Sequence, residues 1–176
     1  MFNARGFHAT SLDDVASSLG ISKPTIYHYL GNKDQVLLEC LTRGVDLLRE
    51  AAAAARSGTG TGLDRLRRFL RRYAEINMND FGRCVIRTGD EALSAESASQ
   101  FRALKREIDK AMRDLIRDGM DDGSIGKADV KLTAFTLAGA LNWPARWYEA
   151  DKDSNAETIA ATMVNILTAG LAPRPH

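Results

Sequence analysis

Thr10, Ser22, Lys23, Thr25, Tyr27, His28 and Lys33 set hydroxyls, an imidazole and two ammonium groups within the stretch TSLDDVASSLGISKPTIYHYLGNK. Such groups suit anionic oxygen and the edges of nucleic-acid bases. A lysine reaches guanine or phosphate, and a threonine can bond a base edge or press its methyl against that of thymine. Catalysis has no comparable constellation. His8, His28 and His176 show no HExxH or HxxxD spacing, no glycine-rich phosphate loop occurs, and neither Cys40 nor Cys84 has a neighbouring partner in sequence. The expectation is a binding protein rather than an enzyme, with no cofactor and no metal.

Two short helices must position these groups. Thr10 with Asp13 predicts a capped helix start, Leu12, Val15, Ala16 and Leu19 form one apolar face, and Gly20 supplies the left-handed residue that ends the helix. Ile21 reads as a buried turn residue and Ser22 as the cap of a second helix. Pro24 is tolerated there because first-turn amides have no intrahelical partner. This is the spacing of a helix-turn-helix, whose second helix can enter the major groove. With Ile26 and Leu30 facing inward, Lys23, Pro24, Thr25 and His28 are left outside and Tyr27 and Tyr29 lie on the flanks. Lys33, behind a cap at Asn32, and Thr10 each stand at a helix start, where side chain and free amides together grip a phosphate. Residues 1–50 hold five Lys/Arg against six Asp/Glu, a poor balance for counterion release. Spacing alone also admits a helical protein-interaction module without DNA binding, in which the tyrosines are core.

The run GFHATSLDDVASSLGISKPTIYHYLGNKDQVL resembles the DNA-binding domain of the TetR family of bacterial transcriptional regulators over about 35 residues. The resemblance implies that Thr10 and Lys33 hold phosphates while Lys23, Thr25, Tyr27 and His28 face the operator; Ser22 is expected among the DNA-binding residues with them. Leu30 stands where the family usually has Phe. The family's first helix should run about a dozen residues upstream of Gly6, whereas only Met1 to Arg5 precede it. The expectation is therefore that the beginning is missing, with Phe2 and Ala4 the end of that helix.

The full chain has 176 residues, net charge +1, 44% hydrophobic and 27% charged residues, and only four prolines. Long helix-compatible stretches in such a composition predict an all-α fold. The start, Met1 to Thr10, lacks a charged and an apolar targeting region, and no run of about 18 apolar residues occurs, so a soluble cytoplasmic protein is expected. The break RSGTGTG, Arg56 to Gly62, separates two strongly helical patterns. We expect a helix-turn-helix domain over 1–50 and a helical ligand-binding and dimerisation domain over 51–176, with helices near 63–80, 98–119, 129–149 and 155–171.

Leu63, Leu66, Leu70 and Tyr73, and Phe101, Leu104, Ile108 and Ala111, form amphipathic stripes. From Val130 to Tyr148 little polar face remains, which predicts a helix buried on nearly all sides. Ser154 with Glu157 predicts a capping box for the last helix. These two apolar C-terminal helices are expected to pair with a second copy as a homodimer, although an ordinary intrachain core fits the pattern too. Leu66, Phe69, Leu70, Tyr73, Met78, Phe81 and Phe101 are the expected apolar lining of a pocket, with Cys84, Arg87, Asn142 and Trp143 as polar contacts. Trp143 and Trp147 fit core or dimer packing equally. Residues 56–87 hold eight arginines and three acids, a solvated face or a site for an anionic ligand. Family resemblance adds a repressor released by a small hydrophobic effector, and the segment after Leu141 is weakly similar to members answering to fatty acids or acyl-CoA.

Overall fold

The computed structural model describes residues 10–20, 22–150, 152–153 and 155–171. Ile21 and Ser154 lie outside them, as do the segment before Thr10 and the side chains of Val15, Leu19, Ile26, Tyr29 and Leu30. Every regular element described is helical: α1 Leu12–Leu19, α2 Lys23–Leu30, α3 Lys33–Ser57, α4 Gly62–Met78, α5 Asp80–Arg87, α6 Ala95–Asp121, α7 Val130–Asn142, α8 Pro144–Trp147 and α9 Ala156–Ala169. A 3-10 turn, Asp90–Ala92, separates α5 from α6.

Helix starts are set locally, and the cap of α1 lies one residue beyond where the spacing placed it. Ser11, not Thr10, caps α1: the Asp14 amide donates to Ser11 Oγ at 3.0 Å and the Ser11 amide donates back to Asp14 Oδ2 at 2.9 Å. Asn155 caps α9 by accepting from the Thr158 amide at 2.8 Å, and the expected cap Ser154 is outside the described residues. In both cases the cap is the short polar residue three positions before the first otherwise orphaned donor. Asn79, the C-cap of α4 and N-cap of α5, splits what periodicity read as one helix to residue 80.

One apolar core holds α3 to α7 and α9 together. Leu37, Leu41, Val45 and Leu48 of α3 meet Leu66, Phe69 and Leu70 of α4, Phe101, Leu115 and Ile116 of α6, Leu141 of α7 and Val164 of α9. A smaller cluster, Leu12 and Ala16 with Val36, seats α1 on the start of α3. Helix α3 therefore runs through the predicted boundary near residue 50 and contributes to both clusters. It lies parallel to α6, tied by Asp34 to Ser94 and Ser97, by Arg49 to Glu107 and by Arg56 to Asp114.

The RSGTGTG break works as a close helix crossing. Thr61 caps α4, the Gly62 amide donates to Asp122 Oδ2 at 2.6 Å, and a Cβ on Gly62 would stand 2.3 Å from Gly119 Cα. Only glycine permits that approach.

Helix α7 is not buried on nearly all sides, as its composition suggested. Ala134, Leu137 and Leu141 are buried, while Leu132 is 62%, Phe135 53%, Trp143 62% and Ile166 of α9 70% exposed. Within one chain α7 packs against α4, α6 and α9, and its opposite face, with Leu132 and Phe135, is left uncovered. Pro144, which opens α8, turns the chain at Trp143.

Gly62→Ala should lower stability by about 1–3 kcal/mol through overpacking, read as a lower midpoint in urea unfolding at unchanged slope.

Candidate nucleic-acid interface and ligand cavity

The turn between α1 and α2 rests on Gly20, whose φ of 66° places it in the left-handed region while its amide donates to the Ala16 and Ser17 carbonyls. A side chain there would be strained. Ser22 then caps α2, accepting from the Thr25 amide at 3.3 Å, with its hydroxyl 2.7 Å from Thr25 Oγ1. On α2 the side chains of Lys23, Pro24, Tyr27 and His28 are exposed and Thr25 is half-buried. Ser22, Lys23, Thr25, Tyr27 and His28 thus share one short element. Lys33 is half-buried at the first turn of α3, where Asn32 accepts from the Gln35 amide at 2.9 Å. Thr10 is enclosed, 1% exposed, beside the exposed cap Ser11. A feature that spacing missed crosses the turn: Lys23 Nζ lies 2.5 Å from Asp13 Oδ2.

In the larger body, a cavity of about 590 Å³ opens between α3, α4, α5, α6 and α7. Its apolar wall includes Val45, Leu48, Val85, Met112 and Phe135, and α6 carries Arg102, Lys105 and Arg106 along one side. Tyr73 donates to Asn142 Oδ1 at 2.8 Å, and Asn77 Nδ2 donates to the same oxygen at 3.0 Å, which fixes the polar end of the α4–α7 wall. Burial pushes the Tyr73 hydroxyl above its usual range, so it is a neutral hydrogen-bonding group at physiological pH.

Of the residues expected to line a pocket, Tyr73 and Asn142 border this cavity. Leu66, Phe69, Leu70 and Phe101 are sealed in the core with no exposed surface, and Met78 and Cys84 are buried. Phe81 and Trp143 are exposed, and Arg87 donates from Nε to the Ala145 carbonyl at 2.7 Å, holding the end of α8. The cavity instead uses the flank of α6, whose charged residues gave the sequence no apolar signal.

The two sites are joined by Asp34, at the start of α3. It accepts from the Ser94 amide at 2.7 Å, from Ser94 Oγ at 2.9 Å and from Ser97 Oγ at 2.5 Å, at the N-terminus of the helix that walls the cavity. Desolvation raises its pKa, but the hydrogen bonds from Ser97 and Ser94 outweigh it and the net shift is downward.

Residues 1–40 match the family described as bacterial regulatory proteins, tetR family, and residues 59–171 match the tetracyclin repressor-like C-terminal domain. The transcriptional activator FasR of Mycolicibacterium smegmatis is 29% identical over 160 residues, spanning 89% of this chain and 73% of that protein. The transcriptional repressor KstR2 of Rhodococcus jostii is 28% identical over 183 residues, spanning 100% of this chain and 87% of that one. Among solved structures, the regulator PfmR of Thermus thermophilus superposes with a TM-score of 0.88 at 29% identity, covering 98% and 94% of the two chains.

Because the folded-state pKa of Asp34 is depressed, its stabilisation is present above the unfolded value and lost as pH falls through the folded one. Asp34→Ala should cost about 1 kcal/mol in urea unfolding at pH 7. That difference from the unsubstituted chain should shrink progressively below about pH 4.

Proposed function

The chain belongs to the TetR family of bacterial transcriptional regulators, and from that premise we propose how it reads DNA and what releases it. Two copies pair through the outer faces of α7 and α9, near 129–149 and 155–171. The observation that carries this is the exposure of Leu132, Phe135, Trp143 and Ile166, an apolar surface that a soluble chain would cover. Pairing there sets the two α2 helices for successive major grooves of a palindromic operator, about 34–36 Å apart.

On each half-site Lys23, Thr25, Tyr27 and His28 face base edges, while Ser22, Lys33 and the exposed cap Ser11 hold the backbone, since the enclosed Thr10 side chain does not reach it. The protein acts as a repressor in the cytoplasm, by binding rather than catalysis.

The effector we propose is an anionic amphiphile, a fatty acid or acyl-CoA thioester. The apolar wall of the 590 Å³ cavity takes the acyl chain, Tyr73 and Asn142 offer hydrogen bonds, and the cations Arg102, Lys105 and Arg106 receive carboxylate or phosphate. Such a ligand moves α6, and α6 is tied to the start of α3 through Asp34. Release follows only if the ligand prefers the arrangement that does not fit DNA.

Footprinting on the DNA flanking the protein's own gene should reveal a protected palindrome, and its absence would remove the regulator reading. Thr25→Ala with Tyr27→Ala should abolish that protection while leaving the dimer intact in sedimentation. Trp143→Asp with Ile166→Asp should give monomers instead. Arg102→Glu with Arg106→Glu should weaken palmitoyl-CoA binding at least tenfold by calorimetry, with helical content unchanged.

A further inference from the structure

Asp13 is a carboxylate on the helix-turn-helix that does no capping. Its neighbour Asp14 already closes the box with Ser11, accepting from both the Ser11 amide and hydroxyl. Asp13 instead reaches across the turn to Lys23, ten positions on, at 2.5 Å. The pair is solvent-facing, with side chains 65% and 40% exposed, and such pairs contribute little to stability. Yet Lys23 is the only Lys or Arg between Thr10 and Leu30, and it sits on the first turn of α2.

We infer that Asp13 is an affinity- and specificity-setting residue: it neutralises Lys23 in the free protein, so that Lys23 contributes almost nothing to sequence-independent attraction for the DNA backbone. A positive side chain gains affinity for duplex by displacing a condensed counterion from phosphate. Paired with Asp13, Lys23 adds no net charge and displaces none. It changes partners only where a base edge or a correctly placed phosphate offers bonds good enough to replace the carboxylate, which is a condition met by the operator and not by arbitrary duplex. The hydrogen bond and charge of Asp13 push the pKa of the Lys23 ammonium above its usual range in the free protein. The consequence is weaker binding to bulk DNA and a larger ratio of specific to non-specific affinity.

This inference rests on the DNA-reading surface proposed above, and the salt dependence of binding separates the two. Binding of the protein to its operator and to a random duplex is measured from about 0.05 to 0.3 M salt, for the unsubstituted protein, Asp13→Asn, Lys23→Gln and the double variant. Asp13→Asn is expected to bind random duplex about two- to fivefold more tightly per subunit at low salt. Its plot of log affinity against log salt should steepen by roughly 0.9 per subunit. The operator should gain less, so the specificity ratio falls. In the Lys23→Gln background the same substitution should leave the slope unchanged.

Asp13→Ser, which also removes the charge and suits a first helical turn, repeats the comparison if the asparagine variant loses helix content. An unaltered slope on random duplex in both Asp13 variants would overturn the inference while leaving the regulator reading intact. So would steepening that persists undiminished without Lys23, since Asp13 would then act by general repulsion. Failure of the unsubstituted protein to bind any duplex would instead remove the regulator reading and this inference with it.

Discussion

A single unbroken helix joins the two halves of the molecule. From Lys33 to Ser57, α3 spans about 37 Å at 1.5 Å per residue. Its first turns carry Val36, which seats α1, and its later turns bury Leu41, Val45 and Leu48 in the main core. The same close-packed helix therefore takes part in the core and in the seat of the helix-turn-helix. Helix α6 runs parallel to it and is tied at three levels, by Asp34, Arg49 and Arg56. The uppermost tie stands next to the recognition unit and the middle of α6 walls the cavity. This arrangement gives ligand and operator a shared element to bias.

Charge is placed locally. The whole chain is nearly neutral, and the first 50 residues carry a slight acidic excess. The arginine-rich segment after the break is largely occupied with structure. Arg65 donates to the Gly60 carbonyl, Arg68 to that of Thr59, Arg67 to Thr168 Oγ1, Arg72 to Glu75 and Arg87 to Ala145. These guanidiniums fasten loops and helix ends. In the function proposed above, affinity for a polyanion rests on a few aligned groups on α2 and at helix starts, doubled by dimer symmetry, and not on a general basic field.

The sequence was most informative where structure is decided by neighbours a few residues apart. Gly20, Ser22 and Pro24 write the turn and the second helix directly, because caps and left-handed glycines act within one helical turn. The long amphipathic stripes were equally plain. Periodicity does not distinguish a core-facing position from one facing a void, so Leu66, Phe69, Leu70 and Phe101 read as pocket lining although they are core. The true flank of the cavity, Arg102, Lys105, Arg106 and Asp109, is polar and gave no apolar pattern. Helix α7 shows the converse. Its all-round apolarity predicted burial on nearly all sides, whereas the chain leaves Leu132 and Trp143 exposed. Pairings across long separations, such as Asp34 with Ser97 and Asp13 with Lys23, belong to tertiary geometry and had no local signature.

In the proposed mechanism a ligand in the cavity changes the separation of the two α2 helices. Pulsed electron resonance between spin labels on a cysteine placed at the exposed position 17 of each subunit, on the helix α1 that packs against α2, with Cys40 and Cys84 replaced by serine, follows that separation. The prediction is a narrow distribution with operator bound, corresponding to helices about 34–36 Å apart, that shifts by several ångströms when palmitoyl-CoA is added. A distribution that stays the same with ligand bound, or one never compatible with successive major grooves, would contradict it.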